Sequence, residues 1–220
     1  MRVLIIGASG GIGAALGRVA RGRGADVVGL SRSIDGLDVT DEASVAAHLG
    51  ALKGSFDAVI TTTGALEIGG QGPEKSLRAL DPATMAAQFA LNAIGPAMVL
   101  KHAARLLPRE RRAVFVALSA RVGSIGDNRA GGWYSYRAAK AALNQIIRTG
   151  AIELARSHPQ LACVALHPGT VTTLLTEKYL GRHPAVTPDA AAENLWAVID
   201  GLSAADTGRF YDGAGKAVAW

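Results

Sequence analysis

Residues 3–16 read VLIIGASGGIGAAL, a β-branched run that closes into glycines and opens into an alanine-rich stretch with helical spacing. A strand, a sharp turn and a helix in so few residues decide the fold class. Gly7, Gly11 and Gly13 stand where the chain must turn tightly and bring backbone N–H groups close to a pyrophosphate at a helix N-terminus. A glycine-rich pattern alone says little in a chain with 27 glycines; its place directly after a strand and into a helix is what points to a dinucleotide.

Outward from that stretch the same alternation repeats. ADVVGLS, FDAVITTTG, RRAVFVALS and QLACVALHPG are short apolar runs, separated by GIGAALGRVARGRG, EASVAAHLGAL, DPATMAAQFALNAIGPAMVLKHAARLL and YSYRAAKAALNQIIRTGAIELARSH, whose apolar residues fall at helical spacing. The class expected is α/β, a Rossmann-type doubly wound parallel sheet with helices on both faces. No linker, composition shift or repeat divides the chain, so residues 1–220 read as a single domain. Loops are expected at EIGGQGPEKSLRAL, GSIGDNRAGG and TEKYLGRHPAVTP. The last ends in Thr187-Pro188-Asp189, an N-cap, a first-turn proline and a first-turn acid. GRFYDGAGKAVAW reads as a late strand and turn.

Composition narrows the partners. The net charge is +5, but the basic residues are interleaved with acids, and the densest cluster, Arg109 to Arg112, lacks the aromatic platform of a nucleic-acid surface; no nucleic-acid partner is expected. The five histidines show no metal-ligand spacing, so no metal is expected. Cys163 lies in an apolar run and reads as a buried strand thiol. The N-terminal apolar run ends at Gly7, too soon for a signal sequence or a membrane span, which gives a cytoplasmic protein without a membrane partner as the expectation.

The second strand ends in Ser31 and Arg32, where the NAD fingerprint has an acid for the ribose 2′-hydroxyl. A guanidinium there suits a 2′-phosphate, which makes NADP(H) the preferred cofactor over NAD(H). A solvated loop arginine is the bland alternative. Asp38, in LDVTDEASV, is expected at a strand end, either accepting from an adenine amino group or capping a helix that begins near Thr40.

In WYSYRAAKAALN, Tyr136 and Lys140 are four residues apart and share a helix face, whereas Tyr134 has no such partner. An ammonium within about 4 to 6 Å favours phenolate and lowers a tyrosine pKa by about 1 to 3 units, which makes a general acid and base. The pair follows an NADP-type loop, a strand ending in Ser119 and a glycine-rich loop, all in one α/β pattern.

Together these motifs resemble the short-chain dehydrogenase/reductase family over nearly the whole chain. GASGGIG is similar to its Gly-xxx-Gly-x-Gly loop, TTTGAL (Thr61 to Leu66) takes the place of Asn-Asn-Ala-Gly, LNAIG carries Asn92, YRAAK is the active-site pair and HPGTVTT resembles the Pro-Gly segment. The resemblance implies hydride transfer between a nicotinamide and a carbonyl or alcohol. Tyr136 is then the proton donor or acceptor, Lys140 holds the nicotinamide ribose, and Asn92 supports a water-mediated proton relay. It further implies cofactor contacts from Ser9, Ile12, Val39, Thr63 and Gly64, with Pro168, Gly169, Val171 and Thr173 near the carboxamide and phosphates. SARVGSIGDNRAGGWYSYRAAKAALN, the short substrate loop and the ending in Trp220 resemble the C-factor-like and sniffer-like branch.

Three departures stand out. Ile6 replaces the threonine before the first glycine, and threonines replace the amides before Gly64. The family's catalytic serine, three residues before a glycine, falls in LSARVGS on Ala120; Ser119, with Ser124 as alternative, is expected to supply the hydroxyl that polarises the substrate oxygen. The reading is an NADP-dependent carbonyl reductase or alcohol dehydrogenase acting on a small molecule, with a homodimer or homotetramer implied by resemblance. The alternative is an NADP-binding sensor or regulatory protein with weak or no turnover, motivated by Ala120.

Overall fold

The computed structural model describes residues 1–173, 176–179 and 185–220. Strands β1 (Arg2–Ile6), β2 (Asp26–Leu30), β3 (Ala58–Thr61), β4 (Ala113–Leu118), β5 (Leu161–His167) and β6 (Phe210–Asp212) form one six-stranded sheet in the order β2-β1-β3-β4-β5-β6. All five pairings are parallel, with registers such as Ile5↔Ile60 and Val116↔Val164. The order reverses between β1 and β3, which opens a crevice at the carboxyl ends of the strands.

The strands are apolar throughout because helices cover both faces. On one face α1 (Gly11–Gly22) and α7 (Pro188–Gly201) bury Leu16, Leu195, Trp196 and Ile199 against Ile5, Ile60, Val116 and Val164. On the other, α3 (Glu42–Ala51), α5 (Gly95–Ala103) and α6 (Tyr134–Leu154) bury Leu49, Val99, Leu143 and Ile147 against Leu4, Val59, Phe115 and Cys163. Each fully buried side chain of this kind contributes about 1.5–3 kcal/mol. Cys163 is fully buried, and burial pushes its thiol up to about 12.

Local chemistry agrees with the sequence at several ends. The Thr187 side chain accepts from the Ala190 N–H at the start of α7, with Pro188 in the first turn and Asp189 beside it. The C-terminal stretch forms β6 and a turn that returns Ala217 to Tyr211. Arg109 to Arg112 lie exposed on a loop, yet Arg111 pairs with Asp57 and Arg112 donates to the Ile199 and Leu202 carbonyls at the end of α7.

Two local expectations need correction. Asp38 does not end a strand: after β2 the chain makes one helical turn, α2 (Arg32–Asp35), closes at Gly36 with φ 78°, and spends the Leu37 N–H on the Ser31 carbonyl rather than on a ladder. Leu37 and Val39 anchor this irregular segment by burying their side chains. Nor does Asp38 cap α3, which is capped by Asp41 accepting from the Ala43 N–H. The helical run Pro82–Leu106 is long and apolar enough to cross a membrane by length and composition alone; here α4 (Pro82–Phe89) packs on α6 and α5 packs on α3.

Candidate active site

The glycine turn after β1 shows why those positions carry no side chain. Gly7 has φ 89°, and a Cβ on Gly13 would run into the Gly7 carbonyl oxygen. The Gly7 and Ala8 N–H groups both bond the Leu30 carbonyl, fixing the turn to β2. The threonines after β3 account for two of the sequence departures at once: Thr62 Oγ1 donates to the Ile6 and Gly7 carbonyls at 2.9 and 3.1 Å. Side-chain support that Ile6 does not offer thus arrives from the neighbouring strand.

A crevice of about 320 Å³ runs from this turn, lined by Gly7, Ser9, Ser31, Arg32, Asp38, Val39, Thr63 and Gly64. Arg32 is exposed there, and Ser33 Oγ donates to Ser9 Oγ at 2.9 Å, making a polar rim beside the guanidinium. Asp38 spends its carboxylate on the Thr40 N–H and Oγ1, which holds it below the usual aspartate range. Ser33 was missed in the sequence because only the turn at α2 brings it to Ser9.

A second cleft, of about 540 Å³, lies across the carboxyl ends of β4 and β5 and is lined by Ile12, Ser119, Ala120, Tyr136, Pro168, Gly169, Val171 and Thr173 among others. Part of the expected substrate loop, residues 174–175 and 180–184, lies outside the described residues. Lys140 is 3 % exposed, lies one turn from Tyr136 with Nζ 5.8 Å from the tyrosine ring centroid, and donates to the Leu118 carbonyl at 3.0 Å. A Cβ on Gly64, on the wall of the first crevice, would stand 3.4 Å from the same Nζ. The lysine therefore lies buried between the Tyr136 ring and the Gly64 backbone.

The electrostatics differ from the sequence expectation. Burial pushes the Tyr136 phenol up to about 12 and pulls Lys140 down to about 8. Desolvation outweighs the ammonium because Nζ stands beyond direct contact with the ring and is turned to the Leu118 carbonyl. Tyr136 makes no hydrogen bond with the described residues, so its hydroxyl is available to a substrate oxygen.

Asn92 is fully buried and sits on a π-helical turn, Ala90–Ile94, between α4 and α5. Its amide donates to the Ala65 carbonyl at 2.9 Å and to Gln88 Oε1 at 2.6 Å, while its oxygen accepts from the Ala65 N–H. Gln88 in turn donates to the Leu66 carbonyl. The wider turn carries Asn92 to the Gly64–Leu66 segment, and π-turns of this kind recur at functional sites.

Of the two serines expected to polarise a substrate oxygen, Ser119 lines the cleft and Ser124 does not. The alternation of β4 continues past its end, so Ser119 shares the face of Phe115 and Ala117 and its hydroxyl donates to Asn144 Oδ1 beneath α6 at 2.6 Å. Ser124 is buried outside the cleft and accepts from the Asp127 N–H. Ala120 is half-exposed on the cleft wall.

Two contributors went unseen in the sequence. Glu74, 6 % exposed and 61 residues before Ser135, accepts from the Ser135 N–H and Oγ, while its carbonyl takes the Trp133 N–H. It fastens a distant loop to the first turn of α6, one residue from Tyr136, where a carboxylate is favoured by the helix end. Trp133, with φ 54°, stacks edge-on to Tyr136 and Tyr179. No local pattern announces either contact.

Residues 7–197 match the family model described as Enoyl-(Acyl carrier protein) reductase. The chain is 34 % identical to 1-hydroxy-2-glutathionyl-2-methyl-3-butene dehydrogenase of Rhodococcus sp., over 99 % of each chain. It is 36 % identical to the C-signal protein of Myxococcus xanthus, over 64 % of this chain and 81 % of that one. A short-chain dehydrogenase/reductase from Burkholderia multivorans, crystallised with bound NADP, superposes with a TM-score of 0.80 at 25 % identity, covering 100 % of this chain and 99 % of the other. Sequence, fold and relatives agree: this chain belongs to the short-chain dehydrogenase/reductase family of oxidoreductases.

Proposed function

We propose that the protein is an NADP(H)-dependent oxidoreductase interconverting a carbonyl and an alcohol on a small molecule, with Tyr136 as the general acid and base. The observation that carries this reading is the unengaged Tyr136 hydroxyl in the cleft, one helical turn from a buried Lys140 that lies behind Gly64 of the first crevice. The glycine turn fits a dinucleotide: with no side chain at Gly13, α1 packs directly on the Gly7 backbone, and the Ser9 and Gly10 segment before the helix lines the crevice, where backbone N–H groups favour a pyrophosphate. Arg32, Ser31, Ser9 and Ser33 are the residues that would hold a 2′-phosphate. Gly11, Ile12, Pro168, Gly169, Val171 and Thr173 line the way to the nicotinamide end. The bound nicotinamide supplies or takes the hydride.

The protein's own part is protonic. The Tyr136 phenol, raised by burial to about 12, donates its proton to the oxygen of a carbonyl as it is reduced and is left as phenolate; in the reverse direction the phenolate, stabilised by the Lys140 ammonium, accepts the alcohol proton. Asn92, tied to Ala65 and Gln88, fixes the Gly64–Leu66 turn on which Lys140 borders. Ser119 acts as a positioning residue through Asn144. Ser119→Ala is therefore expected to lower kcat less than about tenfold, well short of the about 10²- to 10³-fold loss of a polarising donor; a loss in that larger range would return Ser119 to the substrate oxygen.

Titration with NADPH and NADH, followed by a carbonyl panel monitored at the nicotinamide band, tests the reading. Tight NADPH binding with oxidation by a carbonyl supports it. Tight binding with no turnover favours the sensor reading, which Ala120 in the cleft and the Ser119 hydroxyl turned to Asn144 motivate. Arg32→Asp is expected to shift the ratio of kcat/KM for NADPH over NADH towards NADH by roughly 10- to 100-fold, the worth of a charge-assisted bond to phosphate; an unchanged ratio removes Arg32 from cofactor choice. Ile94 and Ile152, exposed on the π-turn and on α6, support a homo-oligomer through that layer.

A further inference from the structure

Arg137 follows Tyr136 on α6 and lines the same cleft. The ionisable groups on that wall are unequal in sign. Arg121 is neutralised, with Nη2 2.8 Å from Asp212 and Nη1 3.4 Å from Asp127, the one acid lining the cleft among the described residues. His167 is neutral, since burial and then Arg121 push it down to about 4, and Tyr179 is a phenol donating to Glu67.

Two cations remain. Arg137 is half-buried, donates from Nε to the Gly132 carbonyl at 3.0 Å and from Nη1 to the Val122 carbonyl at 3.2 Å, and has no carboxylate at ion-pair distance among the described residues. Its Nη2 bonds none of them. Arg129 is exposed and bonds one carbonyl, that of Asn128, at 3.4 Å. Residues 174–175 and 180–184 include no acid to compensate them. A partly desolvated guanidinium without a counter-ion costs free energy, and here burial pulls Arg137 below the usual arginine value. The low-dielectric walls of a cleft focus its field on whatever enters.

We propose that the substrate of this site carries a carboxylate, bound by Arg137 with Arg129 as a second cation at the mouth, beside the carbonyl or alcohol presented to Tyr136. A planar carboxylate matches the guanidinium fork, and two bonds from one group would fix the distance and direction of the reacting carbon. The proposal rests on the oxidoreductase reading of Tyr136, and its test separates the two.

Succinic semialdehyde and 4-carboxybenzaldehyde, each against its methyl ester, are reduced with NADPH by wild type, Arg137→Gln, Arg137→Lys and Arg129→Gln. The expected result is a kcat/KM for each acid at least tenfold above its ester. That preference falls by roughly 10- to 100-fold in Arg137→Gln, is restored only in part in Arg137→Lys, and falls by about two- to fivefold in Arg129→Gln. Equal turnover of acid and ester by wild type, or an undiminished preference in Arg137→Gln, overturns the proposal. Calorimetric titration of the cofactor-free protein with terephthalate gives an independent readout. Binding weakened by the same factor in Arg137→Gln supports a carboxylate site, and equal binding overturns it. Should no carbonyl be reduced, the oxidoreductase reading fails, and the terephthalate comparison still decides the carboxylate site.

Discussion

Tyr136→Phe is expected to lower kcat for every accepted carbonyl by about 10²- to 10⁴-fold, the span of a lost general acid, while leaving NADPH affinity unchanged. The substitution removes one oxygen and keeps the ring that meets Trp133 edge-on with centroids 6.4 Å apart, so the N-terminal turn of α6 retains its packing. Because the hydroxyl makes no hydrogen bond with the described residues, its loss strands no buried partner, and the folded protein has no structural reason to change. Single-turnover reduction of a carbonyl, with NADPH binding measured on the same preparation by nicotinamide fluorescence, checks both halves. Equal turnover by wild type and Tyr136→Phe ends the proposed mechanism; a parallel loss of NADPH binding makes Tyr136 a cofactor residue instead.

The parts of this site that were legible in the sequence are those whose chemistry is local. Gly7 and Gly13 are required by the turn they make, and the Thr187 cap is complete within four residues, so both are visible as patterns. Tyr136 and Lys140 share a face through helix geometry alone. What was not legible depends on contacts between distant segments. Glu74 reaches Ser135 across 61 residues, and Thr62 reaches back 56 residues to the Ile6 carbonyl. The Ser119 hydroxyl is directed by strand parity and the presence of Asn144, which the motif LSARVGS does not contain. Asp38 was misplaced because LDVT has the composition of a strand, while its backbone is committed to the turn after β2. Arg137 stood unnoticed inside YRAAK, since its lack of a carboxylate at ion-pair distance among the described residues depends on how the cleft is lined and not on its neighbours in sequence.

Lys140→Met is expected to damage both cofactor affinity and kcat, and to alter stability in a way that Tyr136→Phe does not. At 3 % exposure the ammonium is desolvated, and its pKa falls from 10.5 to about 8 in the folded protein. Below pH 8 the lysine is charged in both states, and the folded state carries the cost of a buried ammonium. Between about 8 and 10.5 the unfolded chain holds a proton that the folded protein has lost, so this group's contribution to stability rises with pH across that window. Cys163 and Tyr136 act in the opposite sense, because burial raises both to about 12 from 9.0 and 10.0, and stability falls as their unfolded forms ionise. Their contributions are common to wild type and variant and cancel in the difference. Lys140→Met, apolar and of similar length, is therefore expected to be the more stable protein near pH 7.5 without cofactor, with an advantage that narrows by about 2 kcal/mol by pH 9.5. Urea unfolding of the two cofactor-free proteins at both pH values measures it. A difference that does not change with pH would mean that Lys140 titrates as an ordinary solvated lysine, and the buried ammonium proposed to assist Tyr136 would have to be abandoned.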